Sequence, residues 1–540
     1  MHRLWILVVL AACGGGSPIG PVRFANAPPV WKVDDRHDVP KVPETNLYLR
    51  TSYYVESFHR LARRSLRLER DRRALGTNAL DEVPDSTWFT NRKDLTPEDI
   101  RRGPLPDTPE RHLPWTIKSG KSGGKEIGFI AEDARGEKFV LKFDPAAGPE
   151  IETAADAITA RLLWAAGYNA ASDHVVYFKR SDLRIAPDAH ATVGSRKQAI
   201  TEASLDAQLG AIAHDSEGRL RGIASMYIKG KPIGGAPRAG VRADDVNDVI
   251  PHELRRDLRG LAVFFAWLSH TDVKEDNTVD AWQEDPADPS VHYVTHYLID
   301  FGWALGADAA ATKDPSVDYR YVLDFKATLI SIVSLGLVRE VWEGREKPRH
   351  RGVGVFAATD YHPGAWKPTM PSQLSVLLAD AVDKAWASRI LIRFTREQLV
   401  AAVTAGRLTD PVAERYLVDT LVARQRMTAA YWFERASPLD DISVAGGRLC
   451  FTDLALRYQL TRAPTRYTIY GYGADGKLIA TTPVSADSSG RACSASLPLA
   501  PGADRYTIYR VESSRGTPAI QIYVADDPAR APRVIGIHRQ

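Results

Sequence analysis

The side chains with most chemistry to offer stand in two short strings. His270-Thr271-Asp272-Val273-Lys274-Glu275-Asp276-Asn277 sets an imidazole, carboxylates, an ammonium and an amide close together. Asp300-Phe301-Gly302 adds a further carboxylate downstream. Carboxylate and amide oxygens suit hard divalent cations. A carboxylate can also take a proton from a hydroxyl, and an ammonium can neutralise charge that develops during a transfer step.

The flanking pattern says what must hold these groups. A helix with Leu254, Leu258, Leu261, Phe265 and Leu268 on one face is expected from Pro251, delivering the chain to a loop at 270–277. A strand pair follows and ends at Tyr297-Leu298-Ile299-Asp300. Upstream, Trp115–Ser119, Glu126–Ala131 and Lys138–Phe143 read as strands joined by turns. A helix then opens at Pro149 and Glu150 and stops at Gly167. Strands are expected at Val175–Phe178 and Ile223–Ile228, with a polar insertion at 180–218 between them, and residues 319–436 read as mostly helical.

The spacing H-x-D-x-K-x-x-N followed by D-F-G at a strand end resembles the catalytic loop and metal motif of the protein-kinase-like superfamily. Phe139-Val140-Leu141-Lys142 resembles that superfamily's lysine strand, and Glu152 stands where its helix glutamate would pair with Lys142, with Glu150 as the competitor. The turn Ser119-Gly120-Lys121-Ser122-Gly123-Gly124 lies where a glycine-rich phosphate loop would be. The resemblance implies a two-lobed α+β kinase-like fold that uses ATP and Mg2+. Gly120, Gly123, Gly124, Lys142 and Glu152 would serve the nucleotide, and Asn277 and Asp300 the metal. Asp272 would accept the proton of a hydroxyl acceptor, and Lys274 would neutralise the transferred phosphoryl group. His270 reads as a core histidine. Thr271 replaces the arginine of many kinases, no Ala-Pro-Glu follows Asp300-Phe301-Gly302, and the stretch from Asn277 to Asp300 is long. These departures point to an atypical branch akin to the secretory-pathway, spore-coat or HipA-like kinases. The alternative is a catalytically inactive relative that keeps the fold as a binding scaffold.

Two further regions flank this one. Met1–Leu10 is a basic then apolar stretch, and Leu10-Ala11-Ala12-Cys13 resembles a bacterial lipobox. That resemblance implies lipidation of Cys13 and a protein anchored in the cell envelope, with the outer membrane favoured because Gly14 follows. Several acyl chains anchor stably where one does so only marginally. After Pro438 the composition turns to β-formers, and Arg466-Tyr467-Thr468-Ile469-Tyr470 recurs as Arg505-Tyr506-Thr507-Ile508-Tyr509, which suits a small all-β sandwich. Cys450 and Cys493 both lie in this region, and an exported chain permits their pairing as a disulfide. The expected division is signal 1–13, tether 14–45, an N-terminal extension 46–114, an N-lobe 115–235, a helical C-lobe 236–438 and the sandwich 439–540. With 70 Lys+Arg against 67 Asp+Glu and no basic stripe, nothing points to a nucleic-acid partner. No apolar run reaches the ~18–20 residues that a spanning helix needs.

Overall fold

The computed structural model describes residues 21–25, 28–44, 50–66, 72–121, 127–193, 196–308, 311–344, 350–500, 505–527 and 529–540. The chain folds as a mixed α and β structure with one large mixed sheet and several smaller antiparallel ones. Cys13, Gly123 and Gly124 lie outside the described residues.

After the N-terminal helices α1 (Arg50–Ser65) and α2 (Pro97–Arg102), the large sheet is built from β1 (Trp115–Gly120), β2 (Gly128–Glu132), β3 (Lys138–Lys142), β4 (Asp173–Phe178), β5 (Leu183–Val193), β6 (Arg196–Ala199) and β7 (Leu220–Met226). Their order is β4-β7-β3-β2-β1-β5-β6, and only β1 and β5 run parallel. Trp115, Ile117, Phe129, Phe139 and Leu141 alternate into one apolar core, as half-buried strands must. The stretch read from sequence as a polar insertion is therefore part of the sheet. Its β5 adds Leu183 and Ala189 to the same core and α4 (Glu202–Gly210) adds Leu205 and Leu209, while β6 is an exposed edge strand.

α3 (Ile151–Ala166) joins β3 to β4 and is buried nearly all round. β8 (Lys231–Pro232) leads towards α5 (Arg256–Leu268), and β9 (Thr278–Glu284) and β10 (His292–Leu298) form the antiparallel pair ahead of Asp300. α6 (Phe325–Val333), α7 (Leu374–Leu378), α8 (Ala381–Leu391), α9 (Arg396–Thr404) and α10 (Pro411–Phe433) complete the helical half. Its core of Leu261, Phe264, Trp267, Trp386, Leu399 and Leu421 is distinct from that of the sheet, although α3 contributes Ile158 and Leu162 to it. The mostly helical reading of 319–436 fails over its first half: between α6 and α7 the described residues are turns and extended chain, in a stretch that includes Gly336, Gly352, Gly354, Pro363, Gly364, Pro368 and Pro371.

The C-terminal residues form a three-stranded sheet (Leu439–Ala445, Arg448–Asp453, Arg491–Cys493) and a five-stranded sheet (Arg466–Tyr472, Leu478–Ser485, Tyr506–Ser513, Ile520–Asp527, Arg530–Arg539) around one apolar cluster. The two copies of the Arg-Tyr-Thr-Ile-Tyr string lie on neighbouring antiparallel strands. Cys450 and Cys493 face each other across a strand pair and are joined by a disulfide.

Two features fasten these parts together. Asp81, buried and with a φ of 59°, receives Arg256 of α5 at 3.2 Å and Arg539 of the last strand at 3.5 Å. Arg256 and Arg259 also meet the buried Asp383 of α8 at 2.7 and 3.1 Å. Burial works to raise the Asp81 pKa, but the guanidiniums, Arg256 foremost, hold it below the ordinary carboxylate value. The second feature is the stretch read as a tether. Val22 is bonded to Gln521 and Tyr523, each at 2.8 Å, and Val33 and Trp31 pair with Asp85 at 2.8 Å. Asp35 accepts both the N–H and the hydroxyl of Thr87, and Val39 is buried with its N–H on the His292 carbonyl at 2.7 Å. The described part of 21–44 is thus a strap on the body and not a free linker.

Candidate functional site

The loop after α5 is fixed by its backbone. Ser269 turns the chain at a left-handed φ of 55°, and the His270 N–H returns to the Phe265 carbonyl at 2.9 Å. Ser269 is held in turn by two buried residues. Its hydroxyl donates to Asp318 at 2.6 Å, and its carbonyl accepts the Lys313 ammonium. Thr369 N–H bonds the Thr271 carbonyl, and the Ser372 hydroxyl bonds the Val273 carbonyl at 2.7 Å.

On this frame three of the expected side chains meet. Lys274 Nζ donates to Asp272 Oδ2 at 2.7 Å. Asn277 Nδ2 donates to the Asp272 carbonyl at 2.7 Å and to Asp272 Oδ2 at 3.1 Å. With its N–H2 group committed, the Asn277 Oδ1 is the atom left to face a cation. The Ile299 N–H bonds the Asn277 carbonyl at 3.0 Å, which ties this loop to the strand end that carries Asp300.

Asp300 itself sits at a left-handed φ of 63°. The next residue, Phe301, is buried, and its N–H donates to Asp156 Oδ1 of α3 at 2.9 Å. Held from both sides, Asp300 presents Oδ1 to Lys142 Nζ at 2.7 Å. The Lys142 charge holds the Asp300 carboxyl down at about 2, with Lys121 and Lys274 adding to it. Burial opposes the Lys142 charge, but Asp300 and Asp156 outweigh it and raise its pKa above the ordinary lysine value. Strand-end, turn and loop lysines therefore surround one carboxylate, a field suited to a polyanion once a cation neutralises that carboxylate.

The sequence expectation for Glu152 is corrected by this geometry. The acid that α3 presents to Lys142 is Asp156, at 3.7 Å. Glu152 is buried one turn earlier, beside Gly302. Residues i and i+4 share a helix face, so either acid can point this way, and the height of β3 against α3 selects the second. Burial pushes the Asp156 carboxyl up, with Lys142 opposing. Glu150, the competitor, is bonded instead to Thr409, at 2.6 and 3.0 Å. Gly120 ends β1, where a Cβ would approach that of Ala191 to 2.8 Å; its need for glycine is the close pairing of β1 with β5. Sequence reasoning named Lys121 only as part of the phosphate-loop turn, and it missed Asp156, Lys313 and Asp318. Asp156 carried a signal, as an acid inside a helix whose neighbours are almost all apolar. The other two carried none.

A small cavity of about 50 Å³ opens behind the loop, walled by Asp272, Lys274 and Asn277 on one side and by Trp88, Phe265 and Phe301 on the other. Among the described residues no group of three or more His, Cys, Asp or Glu is poised to hold a metal ion. Of the residues expected to hold a cation, Asp300 offers its carboxylate and Asn277 its Oδ1. One carboxylate and one amide are too few for a structural metal site. They fit a magnesium ion that keeps waters and takes its other ligands from phosphate.

His270 is buried between Phe265 and Phe301, at ring distances of 4.8 and 5.7 Å. Burial, helped by Lys313, lowers its pKa to about 4. The unfolded chain takes up this proton near pH 6.5 and the folded protein only near 4, so stability is complete above the first value and falls as pH drops towards the second. The loss is on the order of 3 kcal/mol. Urea unfolding at pH 7 and pH 4.5 should show a smaller loss in His270→Phe than in the parent; an equal loss refutes the assignment.

No protein-family model and no curated protein matches this chain. Among solved structures, a Helicobacter pylori proinflammatory kinase, CtkA, is similar over 58% of this chain and 94% of its own, at 10% identity and a TM-score of 0.30. The Rio2 kinase of Chaetomium thermophilum, solved as an ADP/Mg2+-phosphoaspartate complex, is similar over 54% of this chain and 71% of its own, at 14% identity and a TM-score of 0.20. At that distance neither assigns a fold or the role of any residue.

Proposed function

We propose that this is a kinase-like protein that transfers the γ-phosphate of Mg-ATP to the hydroxyl of a protein Ser/Thr, a sugar or a lipid. The observation that carries the reading is the contact of Lys142 with Asp300 at 2.7 Å, made by residues 158 apart in the chain, with Lys274 and Lys121 acting on the same carboxylate. In this reading the large sheet with α3 is one lobe, the helical half is the second, and the C-terminal sheets form a sandwich behind them.

Each residue then has a task. Lys142 holds the α- and β-phosphates, and Asp156, in place of the expected Glu152, keeps Lys142 in position. Magnesium bound by Asp300 and the Asn277 Oδ1 would offset the charge of the phosphates. Asp272 takes the proton of the acceptor hydroxyl as the new O–P bond forms and the bond to the β-phosphate oxygen breaks. Lys274, already 2.7 Å from Asp272, neutralises the phosphoryl group in transit. Lipidation of Cys13 and residence in the cell envelope belong to the same proposal, on the strength of the Met1–Cys13 pattern alone.

Calorimetry on the full-length chain tests the reading. Titration with Mg-ATP should release heat that EDTA abolishes. Absence of magnesium-dependent heat with every adenine and guanine triphosphate would falsify it.

A further inference from the structure

Away from the cleft, one helix is turned with its apolar face outward. In α6, Phe325, Leu329, Ile332 and Val333 follow the i, i+4, i+7, i+8 spacing of a single stripe, and all four are exposed. Ala327 is the buried residue of this helix. The turn that follows extends the stripe, with Leu335 87% and Leu337 84% exposed. α1 repeats the arrangement with exposed Val55, Phe58 and Leu66 following on. The Phe58 and Phe325 rings meet edge to face at 5.2 Å, which makes the two stripes one patch. Folded chains that stay in water rarely leave a contiguous apolar area of this kind uncovered.

The exposed charges of α6 and its following turn lean basic: Lys326 and Arg339 are exposed there. Of the nearby acids, Glu340 is paired with Arg320 at 3.1 Å and Glu56 with Arg60 and Arg238, while Glu343 is exposed and accepts the Glu340 N–H. The first turn of α1 carries no acid. The apolar side chains stand on a helix face and the tip of a turn, where they protrude without forming a socket. Upstream of α1 the chain carries the apolar stretch Met1–Leu10.

We propose that this patch docks on a phospholipid bilayer with anionic headgroups. The apolar side chains of α6 and its following turn enter the acyl boundary, and Lys326 and Arg339 meet the headgroup phosphates. A protein partner would call for a shaped surface; a bilayer accepts any protruding apolar ridge with cations at its rim. The surface is independent of the cleft chemistry and acts in addition to any anchor at Cys13.

The test uses the full-length chain carrying Cys13→Ser and Leu335→Cys, with a nitrobenzoxadiazole dye on the new thiol. Cys450 and Cys493 are closed in a disulfide, so the label is selective. Vesicles of phosphatidylcholine with about 30 mol % phosphatidylglycerol should move the emission to the blue and raise it severalfold, and pure phosphatidylcholine should do much less. Adding Leu329→Glu and Leu337→Glu should abolish the response while leaving the circular-dichroism melting profile in place. The same dye at Asp475→Cys, on the C-terminal sheets, should not respond. Unchanged emission at position 335 overturns the proposal. So does an equal response in the double glutamate variant, which would place the binding in the N-terminal stretch alone. Blue emission that grows with protein concentration without lipid overturns it in favour of a second copy of the chain.

Discussion

If the proposed phosphoryl transfer is the activity, Asp300→Ala should lower it by about a thousandfold or more while leaving the protein folded. The carboxylate is the one protein anion facing Lys142 from the downstream strand end, and in the proposed reading it is the main protein ligand for magnesium. Its loss removes charge neutralisation that no neighbour supplies, since Asn277 offers only an amide oxygen. The fold survives because Lys142 keeps Asp156 at 3.7 Å, and Phe301 keeps its bond to Asp156. Lys142→Ala differs in kind. It strands Asp156 in a buried site without its cation, so it lowers both turnover and stability. Single-turnover assays with labelled ATP, run beside thermal unfolding of both variants, separate the two effects. A parent protein that binds Mg-ATP with no turnover on any acceptor would identify the inactive scaffold instead. Turnover undiminished in Asp300→Ala would remove the site altogether.

Asp81→Asn destabilises the protein by about 3–5 kcal/mol. Asparagine keeps the shape and tolerates the left-handed backbone at this position, so the change reports on charge. It leaves Arg539 buried without the Asp81 carboxylate and weakens the grip on Arg256, which retains Asp383. Because Arg539 belongs to the last strand and Arg256 to α5, loosening of the C-terminal sheets should accompany the loss. Asp475→Asn serves as the reference: its partner Lys477 is exposed, and a solvent-screened surface pair of this kind contributes little. Urea midpoints for the two variants decide the matter, and similar midpoints would refute the network.

The candidate site was legible where its chemistry is local. Asp272, Lys274 and Asn277 stand within six positions, and the loop that brings them together is short enough for spacing to define it. The first strands of the large sheet were legible for a similar reason: Trp115 and Ile117 alternate with Thr116 and Lys118, and β2 and β3 are short apolar runs closed by turn residues. What spacing does not carry is the offset between separate elements. Glu152 and Asp156 share a face of α3, and only the packing of that helix against β3 decides which one reaches Lys142. Lys313 and Asp318 are beyond sequence reasoning, because their work is to hold a turn more than forty positions upstream. The strap failed for another reason: residues 28–44 have no periodicity, and their order comes from single bonds such as Asp35 to Thr87.

The strap also sets how far the body can stand from any point that holds Cys13. Val22 is pinned to Gln521 and Tyr523, and it comes nine positions after Cys13. An extended chain covers at most ~3.5 Å per residue, so the leash is about 30 Å long at full stretch. With Cys13 acylated, the body would have no swinging radius to speak of, and anything it acts on would have to come within a lipid headgroup's neighbourhood to be met.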